Sequence, residues 1–108
     1  MDEELEIELE QNGSVCTIYL HGVLDYTTTD IFLKELEKIG KNTKLVILNF
    51  NRMVFIDSTG TGNIINLIHT AKAQKFHIKL EGLHEDFHKL FVTLGVYQII
   101  ESLLEAGD

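Results

Sequence analysis

The chain has no proline, a single cysteine, a single arginine and no long apolar run, and each shortage removes a class of protein. One cysteine, Cys16, cannot close an internal disulfide; set in an alternating apolar run, it is expected to be a small core residue. No stretch approaches the ~18 consecutive apolar residues of a membrane span, and no apolar segment follows a basic start, so a cytoplasmic protein is expected. Arg52 is the only arginine, and Lys plus Arg number 9 against 17 Asp plus Glu, for a net charge of −8. Binding to phosphate backbones needs clustered Lys and Arg, so direct nucleic-acid binding is excluded, and an anionic membrane surface repels the domain. The surplus acid is mostly terminal (Asp2, Glu3, Glu4, Glu6, Glu8, Glu10, then Glu101, Glu105, Asp108) and serves solubility or a basic partner. With no linker-like tract in 108 residues, one domain is expected over residues 1–108.

Hydrophobic residues make up 44% of the chain, enough for a core, and their spacing outlines the elements. Leu5, Ile7 and Leu9 alternate with acids as in a half-buried strand, and Asn12-Gly13 is a hairpin turn signal. Residues 15–20 form the returning strand, ended by His21-Gly22. Thr27, Thr28, Thr29 and Asp30 are candidate caps for a helix carrying Ile31, Phe32, Leu36 and Ile39, stopped by Gly40. The nearly unbroken apolar run from Lys44 to Phe50 predicts a strand buried on both faces, with Asn51-Arg52 bending the chain before a second apolar pulse, 53–56. Helical spacing follows from about Thr59 to about Lys75, then an alternating strand, 76–81, with one wet face. His84 to Leu94 is an amphipathic helix closed by Gly95; Val96 to Ile100 is expected as a short last strand, and 102–106 as a helical turn. The order β-β-α-β-α-β-α-β predicts an α/β domain: a mixed sheet of four to five strands covered by helices.

The most informative stretch is Phe55-Ile56-Asp57-Ser58-Thr59-Gly60-Thr61-Gly62, where a strand hands over to a helix. The first-turn N–H groups lack intrahelical partners, so a phosphate added to a hydroxyl there is held by those donors and by the helix dipole. Asp57 and Ser58 also suit a purely structural role as helix caps. A Walker loop is excluded because no Gly-Lys-Ser/Thr follows the glycines, and a dinucleotide fingerprint because Ile65 stands where its third Gly belongs. Ser58 lacks the G-x-S-x-G setting of a hydrolase nucleophile. His84-Glu85-Asp86-Phe87-His88 has the H-E-x-x-H spacing of a zinc site, yet little chain remains for a third ligand, and a solvated helix face accounts for the same residues; no metal or cofactor is expected.

The run from Val54 to Gly62 resembles the STAS domain, and within it the bacterial anti-sigma factor antagonists, whose pattern is an apolar pulse, Asp-Ser-Ser/Thr-Gly, an apolar residue and Gly. Leu20-His21-Gly22-Val23-Leu24-Asp25 is similar to the family's turn before the first helix, Leu45 to Phe50 to its central strand, and Leu90 to Val96 to its late Gly-bounded helix. The resemblance implies a non-enzymatic switch without cofactors. Ser58, or less favourably Thr59, matches the serine phosphorylated by a partner that is both serine kinase and anti-sigma factor. The unphosphorylated form binds that partner and frees a sigma factor, and a serine phosphatase resets it. Asp25, Tyr26 and Thr27, with Asp57, Ser58, Thr59, Gly60, Thr61 and Gly62, match the partner-binding surface. Thr61 departs from the family's apolar residue, which implies a more polar loop. The alternative is a STAS scaffold or subunit of a stress-signalling complex or a lipid transport system.

Overall fold

The chain pairs its first two strands through the hairpin at Gly13 and then makes two crossovers between parallel strands, as a computed structural model describing residues 4–106 shows. Asp2, Glu3 and Asp108, noted above among the terminal acids, lie outside the described residues, as does the side chain of Glu105. The elements are β1 (Leu5–Asn12), β2 (Val15–Leu24), α1 (Thr29–Leu36), β3 (Leu45–Ile56), α2 (Ser58–Gln74), β4 (His77–Glu81), α3 (Glu85–Thr93) and α4 (Val96–Ala106). The sheet order is β1-β2-β3-β4, with β1 antiparallel to β2 and the other neighbours parallel. Because β2, β3 and β4 advance in one direction, right-handed crossovers place α1 and α2 on the same face.

That geometry corrects the expectation of a sheet buried on both sides. Along β3, Val46, Leu48 and Phe50 are buried while Leu45, Ile47 and Asn49 are only half-buried. The register aligns Leu9, Ile18, Leu48 and Leu80 in one row toward the helices, with the pair Ile7 and Leu20 on the same face, and places Glu8, Tyr19, Asn49 and Glu81 on the uncovered face. Cys16 belongs to the core and is fully buried, which pushes its thiol pKa up. Phe50 meets Phe91 edge to face at 5.8 Å, bringing α3 onto the sheet.

One expected break is absent, and the expected bend at Asn51-Arg52 falls within a strand at an irregularity of its pairing. β2 runs past His21-Gly22 to Leu24, and β3 runs past Asn51-Arg52 to Ile56. The two strands stay paired through irregularities between Tyr19 and His21 and between Gly22 and Val23. Gly22 makes this turn at φ +116, with the Glu4 carbonyl so close that an added Cβ would lie 2.0 Å from it. The irregularities kink the strands instead of ending them.

The expected last strand, Val96 to Ile100, is instead the start of α4, packed on α2 and α3. Gly95, at φ +76, closes α3, and its carbonyl accepts the Ile99 N–H at 3.2 Å. Val96 is fully buried, and its spacing to Ile99 and Ile100 suits a helix as well as a strand.

Candidate functional site

The ends of β2, β3 and β4 all point the same way, so the loops leaving them gather at one end of the sheet, opposite the Gly13 hairpin. In open α/β sheets this carboxyl end of the strands is where ligands and partners are met. The β2–α1 loop contributes Asp25, Tyr26 and Thr27, and the β3–α2 junction contributes Asp57 and Ser58.

The junction is built by an aspartate. Asp57, in extended backbone, caps α2, its Oδ1 accepting the Gly60 N–H at 2.8 Å. Ser58 is therefore the first helical residue and not a cap; it is exposed, and its hydroxyl is not engaged by any described residue. With Gly60 satisfied, the N–H groups of Ser58 and Thr59 remain as the helix's uncapped donors, beside the positive end of its dipole. A phosphate on the Ser58 oxygen has donors and a favourable field within its own domain. Thr59 is also exposed.

The rest of the motif turns inward. Gly60 is buried against β2, where its own lack of a side chain leaves room for the Leu24 carbonyl. The Asp57 N–H donates to that same carbonyl at 3.4 Å. Thr61 is fully buried, and its hydroxyl donates to the Asp57 carbonyl at 2.9 Å. Its departure from the family's apolar residue therefore leaves the exposed loop unchanged, because the hydroxyl is spent inside the helix's first turn. Gly60 and Thr61 shape the site from beneath; the exposed or half-exposed members of the motif are Asp57, Ser58, Thr59 and Gly62. Thr61→Val should consequently shift stability by less than ~1 kcal/mol, since shape is kept and the Asp57 carbonyl retains the Thr61 N–H. Chemical denaturation checks this, and a loss well above that size contradicts it.

The neighbouring loop is ordered by its own polar side chains. Asp25 Oδ1 accepts the Thr27 N–H at 2.9 Å and the Thr27 hydroxyl at 2.6 Å, an Asx-type turn. Thr28 is the residue preceding α1, but its hydroxyl donates to the Val23 carbonyl and accepts the Asp25 N–H, so it fastens the loop and caps nothing. Tyr26 stands 75% exposed at the tip. Sequence reasoning missed Asn63, a buried α2 residue whose amide donates to the Thr29 hydroxyl at 3.0 Å, itself a donor to the Asp25 carbonyl. Through that chain the Asp25 loop and the Ser58 helix form one unit. An Asn beside the buried Ile64, Leu67, Ile68 and Ala71 of α2 is the signal that marks it.

The His84 and His88 pair is not a helix face, because His84 lies before α3 and caps it, its Nδ1 accepting the Asp86 N–H at 3.3 Å. His88 Nδ1 lies 2.9 Å from the Tyr97 hydroxyl. Among the described residues no three His, Cys, Asp or Glu side chains gather as a metal site, and no helix is long and apolar enough to cross a membrane.

A four-stranded mixed sheet with its helices on one face, and a capped Asp-Ser-Thr-Gly helix start at its carboxyl end, define a STAS domain. The STAS domain family matches residues 6–106, and the chain belongs to that family. It is 22% identical over 98 residues to the anti-sigma F factor antagonist of Paenibacillus polymyxa, covering 89% of this chain and 84% of that one. It is 23% identical over 97 residues to the anti-sigma-B factor antagonist of Bacillus subtilis (strain 168), covering 90% and 89%. The same fold occurs in the phosphorylated form of the Bacillus cell fate determinant SpoIIAA, with a TM-score of 0.69 and 22% identity over 86% of each chain.

Proposed function

We propose that this STAS domain is an anti-sigma factor antagonist. Its unphosphorylated form binds an anti-sigma factor that is also a serine kinase, and so frees a sigma factor in the cytoplasm. Transfer of the γ-phosphoryl group of ATP to the Ser58 oxygen, with release of ADP and the hydroxyl proton, turns binding off. A serine phosphatase restores the hydroxyl by hydrolysis. The domain supplies no catalytic group of its own.

The observation that carries this reading is Ser58 itself, the exposed first residue of α2 with an unengaged hydroxyl, while the adjacent Asp57 performs the capping. The relatives' description as anti-sigma factor antagonists supports the class of partner. Mass spectrometry after incubation with ATP and a purified anti-sigma serine kinase of the source organism tests it. One phosphate on Ser58, absent in Ser58→Ala and retained in Thr59→Ala, is the expected result; a phosphate that stays on the Ser58→Ala protein contradicts it.

A further inference from the structure

Beside the switch lies an apolar groove that the polar motif does not account for. Val54 and Phe55, the last outward-facing residues of β3, are 58% and 48% exposed, although both are large hydrophobics. They form one wall of a groove of about 490 Å³ whose other wall is Phe87 and Leu90 of α3. Ile56 also lines it, and His84 and Asp86 complete its lining. Scattered single apolar residues on a surface need no explanation, but two consecutive ones facing half-buried apolar side chains across a cleft make a contiguous patch, and such patches mark interaction sites.

We propose that this groove receives an apolar side chain from a basic segment of the same anti-sigma kinase that reads Ser58. The inference rests on the antagonist function proposed above. Two observations select this occupant. Phe55 is followed within three residues by Ser58, so a partner covering the switch hydroxyl lies over the groove as well. The one carboxylate in the groove's lining is exposed Asp86, 3.9 Å from His84, in a chain of net charge −8. An apolar centre with a charged rim is the arrangement in which a buried anchor supplies affinity and the rim supplies orientation and encounter rate. The partner is thus held at two places: one that phosphorylation alters, and one that it leaves unchanged.

Calorimetric titration of each purified anti-sigma serine kinase of the source organism, loaded with ADP so that Ser58 stays unmodified, tests the groove. Phe55→Ser is expected to raise Kd about tenfold or more, Phe55→Leu to stay within about twofold of the wild type, and Asp86→Lys to raise Kd severalfold. Melting curves of the three variants should lie near that of the wild type, because both positions are exposed; Asp86→Lys keeps the test decisive should Phe55→Ser unfold. Wild-type binding with both Phe55→Ser and Asp86→Lys unchanged overturns the groove and leaves the antagonist function standing. A wild type that binds none of the kinases overturns the function and this occupant together. A wild-type dimer in sedimentation that Phe55→Ser dissociates, with kinase binding intact, overturns the occupant in favour of a second copy.

Discussion

Ser58→Asp should weaken binding to the anti-sigma kinase about a hundredfold while leaving the domain folded, a difference of roughly 2.7 kcal/mol in binding free energy. The two effects separate because the new carboxylate meets opposite environments in the free and bound states. In the free domain it sits at the first position of α2, where a negative charge interacts favourably with the helix dipole, contributing about 0.3–1 kcal/mol. In the proposed complex it would lie at the contact surface beside Asp57, where a buried charge left without a counter-charge costs several kcal/mol. A phosphate carries more charge than the aspartate, taking the net charge from −8 to about −10, yet that change in the total is small; position in the contact surface decides the outcome. Titration calorimetry paired with a thermal melt checks both halves. Native-strength binding by a folded Ser58→Asp protein would falsify the switch.

Gly60→Ala should destabilise the fold by about 3 kcal/mol and lower Tm by roughly 10–20 °C, although alanine is the better helix former by up to ~1 kcal/mol. The added Cβ would lie 2.0 Å from the Leu24 carbonyl oxygen, 2.8 Å from its carbon and 2.9 Å from Ile56 Cγ1. The first two are backbone atoms, so no rotamer change relieves the overlap. The start of α2 must move off β2, stretching the Asp57 N–H bond to Leu24 and separating the Ser58 helix from the Asp25 loop. Gly62→Ala is the internal control: a Cβ there meets nothing within 4 Å, and the helix gains about 0.5–1 kcal/mol. Scanning calorimetry of the pair should show melts moving in opposite directions. A Gly60→Ala melt within a few degrees of the wild type contradicts the close packing of α2 on β2.

The elements legible in the sequence are those whose periodicity admits one interpretation. The alternation of Leu5, Ile7 and Leu9 with acids, the Asn12-Gly13 turn and the long apolar stripe of α2 all lie where their spacing places them. Val96 to Ile100 is ambiguous by nature: its β-branched and aromatic residues favour a strand, and burial of Val96 against neighbouring helices settles it as α4. The run Leu45 to Phe50 is apolar on both faces, yet only one is covered, because the direction of the crossovers and not local composition decides where helices lie. At the site, the Asp-Ser-Thr-Gly signature marks Ser58, the residue proposed as the switch. Which of its members face outward depends on the contact with Leu24, a partner distant in sequence. The exposure of Phe55 depends in the same way on where α3 docks.

The antiparallel start of the sheet has a practical consequence for anyone handling this domain. Leu5 pairs with Gly22, two residues before Leu24, so the polypeptide enters the sheet at the end that carries Ser58. The Gly13 turn lies at the opposite end, about 30 Å away along the ten residues of β2. A bulky group attached at Glu4 therefore crowds the end that carries Ser58, whereas a fluorophore or immobilisation handle inserted at the hairpin tip leaves it open.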